Sequence, residues 1–213
     1  MAVYKVNNII KDVKVCIDEN AESEKLLLSK DIDTLTFSDI IKSKILEAVR
    51  IVHQSAPFYL IEHGHSFSNH EIYWKEKESG FVLLPNDFMR LVSFKMSDWS
   101  KVVHTFITPE DKEYEWQRQP IKALRGTADR PAVAIVSREE GLALEFYSCK
   151  SESAYIENAN YIPLPAIDNH DGVDISEKCY NAVVYTIASL ALATLSENEK
   201  ANSLLEISKL LLQ

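Results

Sequence analysis

Glycine is scarce in this sequence, with five residues in a chain of 213. A loop that cradles phosphate needs glycines, because side chains block the close approach of the backbone to the ligand. So few glycines argue against such a loop, and they favour regular elements joined by short turns.

Cysteine is also scarce. The three cysteines, Cys16, Cys149 and Cys179, are widely spaced and form no CxxC pair. This pattern indicates neither a disulfide framework nor a zinc knuckle, and it favours reduced core thiols. No apolar run has the length of a signal peptide or a membrane span. We therefore expect a soluble protein that is made in a reducing cytoplasm.

Basic residues are outnumbered, with 23 Lys and Arg against 32 Asp and Glu, for a formal charge of -9. This balance excludes the basic footprint by which proteins grasp nucleic acid. It does not exclude DNA as a neighbour, because a passage lined by like charge lets DNA pass without holding it. The hydrophobic fraction of 46% is enough for a sizeable core.

Two amphipathic helices are predicted near the start of the chain. Apolar residues at helical spacing predict the first over residues 4–18. Thr36 and Asp39 have the spacing of a capping box, which predicts a second helix over residues 40–55 that Pro57 ends. Residues 19–35 between them read as a polar loop with one helical turn.

Two further helices are predicted at the other end of the chain. Asp174 and Glu177 have the spacing of a capping box, which predicts a helix over residues 175–195. Ser196 with Glu199 reads as a second capping box, and it predicts a last helix that continues to residue 213. The short connection between the two helices predicts antiparallel packing.

The middle of the chain is predicted to be rich in β-structure. Alternating residues predict a strand that ends at the charged turn of residues 75–80, and a hairpin around residues 97–100. A turn of residues 138–141 is expected to need the positive φ of Gly141. A short helix is predicted over residues 109–117. The predicted strands span residues 66–75, 81–84, 91–96, 101–107, 132–137, 142–149 and 154–162.

These elements together predict an α+β fold of two parts. The N- and C-terminal helices, in residues 1–57 and 172–213, are expected to form a four-helix body, because neither pair can bury its apolar face alone. Residues 58–171 would then be an inserted antiparallel β lobe. We detect no internal repeat.

Two groups of residues have the chemistry of a reactive site. Glu62, His63, His65 and His70 are metal-ligand types, but on a strand His70 falls on the opposite face from the other histidines, so an exposed strand or loop is the better interpretation. Cys149 stands beside a lysine that would lower the pKa of its thiol if it were exposed; the alternative is a core-edge thiol. We expect no catalytic residue, no metal and no cofactor.

The remaining candidates are residues of an interaction surface. Trp99 at the predicted hairpin tip and Trp116 near the end of the short helix either anchor an interface or fold back over the β lobe. A basic island in the loop after the helix is expected either to meet an acidic patch of a neighbouring subunit, to touch DNA phosphate, or to be a solvated loop. The basic residues of this island are Arg118, Lys122, Arg125 and Arg130.

Four stretches carry a family resemblance: residues 38–49 (SDIIKSKILEAV), 84–90 (LPNDFMR), 125–126 (RG) and 179–185 (CYNAVVY). In their order and spacing the chain resembles the head-to-tail connector proteins of tailed bacteriophages, the adaptor, tail tubular or ring proteins beneath the portal. It is most similar to the ring proteins of crAss-like phages. The β lobe is larger than in short adaptors, which leaves open which layer of the connector the chain occupies.

The resemblance implies a structural protein of the virion, placed in the tail or connector and synthesised in the bacterial host cytoplasm. It implies a homo-oligomeric ring, a dodecamer in that class, that binds the portal protein and the adjacent tail or ring proteins. DNA would pass through the lumen during ejection without specific binding, and no membrane would be involved. The family has no catalytic residues to carry over.

Two other functions compete with this expectation. One is a cytoplasmic protein- or peptide-binding module without catalysis, which would use the edge of the β lobe. The other is a hydrolase that uses the histidine cluster and a metal.

Overall fold

A computed structural model describes residues 1–17, 36–61, 64–75, 78–119, 121, 124–147 and 149–213. The chain divides into two compact units, which we call the helical unit (residues 1–62 and 165–213) and the β-rich unit (residues 63–164). The predicted α+β class is confirmed, since helices are combined with antiparallel sheets. The helical unit also takes in the residues just after 57 and just before 172, which the sequence analysis assigned to the β lobe. The predicted loop of residues 19–35 lies outside the described residues.

The regular elements are numbered along the chain. The described residues form five α-helices, which are α1 (Val6–Cys16), α2 (Phe37–Ser55), α3 (Lys112–Arg118), α4 (Tyr180–Thr194) and α5 (Asn198–Leu210). They also form nine strands, which are β1 (Ala2–Lys5), β2 (His65–Ser66), β3 (Ile72–Lys75), β4 (Ser79–Leu83), β5 (Phe88–Met96), β6 (Val133–Arg138), β7 (Gly141–Phe146), β8 (Ile156–Pro163) and β9 (Gly172–Ile175). No described helix is both long enough and apolar enough to span a bilayer.

Helix α2 is formed by signals that the sequence shows directly. The Thr36 side chain accepts a hydrogen bond from the Asp39 N–H at 3.3 Å, and the Asp39 carboxylate accepts one from the Thr36 N–H at 3.1 Å. The predicted capping box is therefore confirmed. The apolar stripe from Ile41 to Val52 is buried, and the helix ends just before Pro57.

Helix α4 is the central element of the helical unit. It packs against α1, α2 and α5, and its side chains are buried on most of its circumference. Its hydroxyl groups are satisfied within the unit, because Thr186 and Ser208 lie 2.7 Å apart and Ser189 donates to the Ala201 carbonyl at 2.7 Å. Backbone carbonyls thus accept hydrogen bonds from the polar side chains that face α5.

Three terminal predictions are wrong for identifiable reasons. Residues 4 and 5, which the predicted first helix included, are not helical, because they belong to β1, which pairs antiparallel with β9. Residues 172–175 form that partner strand, so α4 begins only at Tyr180, after a 3₁₀ turn. Ser196 has a φ of 66° and closes α4, since its N–H and that of Glu197 donate to carbonyls of the last turn. It does not cap α5, which begins at Asn198 without a side-chain cap.

The β-rich unit contains two antiparallel sheets, with strand orders β2-β8-β5 and β3-β4-β7-β6. The predicted pairings of β3 with β4 and of β6 with β7 are confirmed, and Gly141 begins β7 with a φ of 134°. The predicted strand over residues 66–75 is broken by a turn at residues 68–70. The predicted hairpin is wrong, because β5 pairs with β8 and only Val103 bridges back to Phe94.

The predicted helix over residues 109–117 begins later than expected. Both the N–H and the hydroxyl of Thr108 donate to the Asp111 carboxylate, at 2.6 and 2.9 Å. These bonds close a turn, and the helix α3 starts after Asp111. Tyr114 of α3 packs on one face of the four-stranded sheet, against residues of β6 and β7.

Candidate functional site

Helix α3 and the loop that follows it carry an exposed apolar and basic surface. Trp116 is 43% exposed, and Ile121 and Leu124 are exposed as well. Arg130 is exposed and Arg125 is half-buried. We call these five residues the Trp116 surface; exposed tryptophan and arginine are the residue types that most often anchor protein interfaces.

Buried Gln117 holds the Trp116 surface together. Its side-chain oxygen accepts from the Gly126 N–H at 2.7 Å, and its side-chain nitrogen donates to the Glu113 carbonyl at 3.1 Å. Gly126 lies so close to Ala132 that an added Cβ would meet it at 2.9 Å. Arg125 donates from Nε to the Gln119 carbonyl. Residues 125–126 of the loop are therefore fixed to the helix.

The predicted interface residues have different positions. Trp99 is 3% exposed and packs edge-on against Phe94 and Phe146, so it belongs to the core and is not an exposed anchor. Residues 97–100 do not form an exposed hairpin tip, because only Val103 bridges to β5 and the Trp99 ring is buried in the core. Trp116, Arg125 and Arg130 lie in one compact segment. Arg118 is the last residue of α3, and Lys122 lies outside the described residues.

The reactive-site candidates do not come together as a site. His70 contacts the Leu83 carbonyl at 2.8 Å and His65 packs edge-on against Tyr161, while Glu62 and His63 lie outside the described residues. No group of three metal-ligating side chains is found among the residues that the structure describes. Burial, together with the nearby Asp98 carboxylate, raises the pKa of Cys149 to about 12. The interpretation of Cys149 as an activated thiolate is therefore wrong.

Glu145 of β7 is the centre of a buried charged cluster that the sequence did not indicate. Lys75 donates to its Oε1 at 2.6 Å, and Arg138 donates to the same oxygen. The hydroxyls of Tyr147 and Tyr114 donate to Oε2 at 2.8 and 3.4 Å. Burial alone would raise the pKa of Glu145, but the hydrogen bonds from both cations and from Tyr147 outweigh it and hold the pKa below 4.5. Both carboxylate oxygens are occupied, so the cluster fastens the sheet and α3.

Beside this cluster lies a half-exposed aromatic surface with an acidic rim. Tyr73 of β3 stacks on Phe81 of β4 with 5.0 Å between ring centroids, and its hydroxyl donates to Glu71 at 3.2 Å. The carboxylates of Glu71 and, more weakly, Glu140 raise the pKa of Tyr73. We call these four residues the acidic aromatic face.

The helical unit has an exposed apolar surface of its own, at the end of α5. Tyr59 is 62% exposed and Leu210 is 65% exposed. The Tyr59 hydroxyl donates to the Gln213 carbonyl at 2.5 Å, which brings the two segments together. We call this surface the C-terminal patch; it consists of Phe58, Tyr59, Ile207, Leu210 and Leu211.

No protein-family model matches the sequence, and no curated protein matches it either.

Proposed function

We propose that the chain is a structural subunit of a tailed-phage virion. It forms an oligomeric ring beneath the portal, which joins the capsid to the tail and continues the DNA channel. The observation that carries the proposal is that each compact unit has its own exposed apolar surface, the Trp116 surface in one and the C-terminal patch in the other.

Two separate apolar surfaces favour assembly with unlike neighbours. Single exposed apolar residues are ordinary, whereas groups of them mark places where another protein docks. A subunit of a cyclic ring contacts its two neighbours through different surfaces, and a connector must also contact the layers above and below it. One surface on each unit suits this requirement.

The resemblance to connector proteins gives further support, because its four stretches fall on distinct elements. Residues 38–49 lie in α2, residues 84–90 lead into β5, residues 125–126 belong to the loop of the Trp116 surface, and residues 179–185 open α4. Three of these places lie beside or within the cores of the units. The fourth is at the candidate interface.

The charge of the chain suits a passage for DNA. A formal charge of -9 on each copy, repeated around a ring, gives a strongly acidic assembly. Phosphates passing through such a lumen are repelled, so DNA slides without adhering. We propose that the work of the protein is mechanical and not catalytic.

Sedimentation velocity of the purified full-length chain tests this function. We expect the wild type to form a discrete oligomer and Leu210→Glu to weaken it, because a charge would be placed in the C-terminal patch. Asn202→Glu is the matched control, since it adds the same charge at another exposed position of α5. A wild type that stays monomeric at every concentration would contradict the proposal.

One observation favours a second function, a protein- or peptide-binding module without catalysis. Strand β3 lies at an end of the four-stranded order β3-β4-β7-β6, and such edges accept extended peptides. A chain that binds extended peptides and never self-associates would support the module over the ring.

A further inference from the structure

Two surfaces of the β-rich unit are complementary in charge. The Trp116 surface presents Arg125 and Arg130 with exposed apolar side chains, in a chain that is otherwise acidic. The acidic aromatic face presents two exposed carboxylates and the exposed ring of Tyr73, which stacks on the half-buried ring of Phe81. Aromatic rings and carboxylates are the groups that arginine and tryptophan side chains pack against in interfaces.

The two surfaces lie over different strands of the four-stranded sheet, on the same face. Tyr73 and Phe81 belong to β3 and β4, at one edge of the sheet. At the other edge Ile107 bridges to Ala134 of β6, and Tyr114 fixes α3 over β6 and β7. With neighbouring strands about 4.8 Å apart, the two surfaces occupy opposite halves of one rigid sheet. A copy can therefore present both at once.

Local charges leave the rim of the acidic aromatic face negative. Lys75 and Arg138, the cations near this face among the described residues, both bind the buried Glu145. The Arg138 guanidinium also lies 4.0 Å from the centroid of the Phe81 ring. Glu71 and Glu140 are exposed, and both disfavour ionisation of the Tyr73 hydroxyl. Their carboxylates remain available to a cation from outside.

We propose that the Trp116 surface of one copy docks on the acidic aromatic face of the next copy. This inference rests on the proposed ring function and adds a second contact between copies to the one expected at the C-terminal patch. The contact joins two different surfaces. Each pair of copies therefore still has one free Trp116 surface and one free acidic aromatic face. Further copies add head to tail until a ring closes. Complementary charge sets the orientation of the contact, and Trp116 supplies apolar area.

Paired charge reversals of the full-length chain test this contact. The first variant combines Arg125→Glu with Arg130→Glu, and the second combines Glu71→Arg with Glu140→Arg. In either variant alone, like charges meet at every contact, and we expect the dissociation constant between copies to rise about tenfold or more. In an equimolar mixture every contact between the two variants is complementary again, so we expect oligomers in which the two variants alternate.

Matched controls separate this effect from misfolding. Lys101→Glu with Lys150→Glu changes the net charge as much as the first variant, at exposed positions of the same unit. We expect it to assemble as the wild type does. Circular dichroism of each variant reports whether it folds, and recovery in the mixture excludes misfolding as the cause of lost assembly. Added salt should weaken the wild-type contact as it screens the charges.

Each outcome decides a different point. If the wild type assembles and both reversed variants assemble equally well, the lateral contact is wrong and the ring function stands. If the variants are monomeric and the mixture does not recover, the contact is also wrong. If the first variant assembles as the wild type does but no longer retains a short DNA duplex, Arg125 and Arg130 bind DNA and the proposed contact is wrong. A monomeric wild type overturns the ring itself.

Discussion

The two compact units bury polar groups in different ways. Among the described residues of the helical unit the buried polar groups are neutral, as with His53, Thr186 and Ser208. In the β-rich unit the carboxylate of Glu145 is buried with two cations and two tyrosines. The cores differ too, because α4 is lined by small and aliphatic residues, whereas the β-rich core contains a group of packed aromatic rings. The units should therefore respond differently to truncation and to acid.

Phe146→Ala should have the largest effect, because it removes the ring that packs against Trp74, Phe94 and Trp99. We expect the free energy of unfolding to fall by about 4 kcal/mol, measured by urea denaturation, since the cavity lies among rigid rings. Phe58→Ala, at a partly exposed position of the helical unit, is the control and should cost much less. Equal losses for the two variants would contradict an aromatic core.

Acid should act first on the helical unit, through His53. The Ser176 N–H donates to Nε2 of His53 at 3.2 Å, so the folded ring is neutral at that atom. Burial, with a smaller effect of the N-terminal amino group, lowers the pKa of His53 from 6.5 to about 4. Between these values the unfolded chain binds a proton that the folded chain does not. Stability should therefore fall by roughly 3 kcal/mol as the pH drops from 6.5 to 4.

His53→Gln is the variant that checks this dependence, because glutamine keeps an acceptor for the Ser176 N–H and cannot titrate. Urea denaturation across this range should give a flatter profile for the variant than for the wild type. Parallel profiles would show that His53 is not the titrating group.

Glu145 should give the β-rich unit a separate acid response at lower pH. The folded pKa of Glu145 lies below its ordinary 4.5, so its contribution is complete above that pH and is lost as the pH falls through the folded value. At neutral pH, Glu145→Gln should lower the free energy of unfolding by about 2 kcal/mol, between the values for exposed and fully buried ion pairs. Thermal denaturation of wild type and variant should converge as the pH falls below the folded pKa of Glu145, and a constant gap would refute the assignment.

The smallest expected effect belongs to the cap of α2. Thr36→Ala removes the side chain that accepts from Asp39 N–H, and it should cost about 1 kcal/mol in urea denaturation. Ser38→Ala in the same turn is the control, because no cap bond depends on it. If Ser38→Ala lowered the free energy of unfolding as much as Thr36→Ala does, the cap would not be the cause of the loss.

The sequence predicted elements whose signals are local. The Thr36 cap, the stop at Pro57 and the turn at Gly141 lie within a few residues of the structure they specify, and each is confirmed. The β1–β9 pair was missed because its strands have four residues each, too few for a periodic pattern, and are brought together from distant parts of the chain. Ser196 was misread because a residue that ends one helix can have the spacing of a cap for the next.

The candidate site divides in the same way. Trp116 and the neighbouring arginines could be selected from composition, because a basic island in an acidic chain is visible in the sequence. Trp99 and Trp116 could not be told apart, since burial depends on which strands pair. The acidic aromatic face and the Glu145 cluster were invisible, because sheet register brings Tyr73, Phe81 and Glu145 side by side.

Electron microscopy of the purified full-length chain tests the ring most directly. We expect closed rings of one uniform copy number, with the β-rich units of adjacent copies in contact. Particles no larger than a single chain, at every concentration imaged, would contradict a ring subunit.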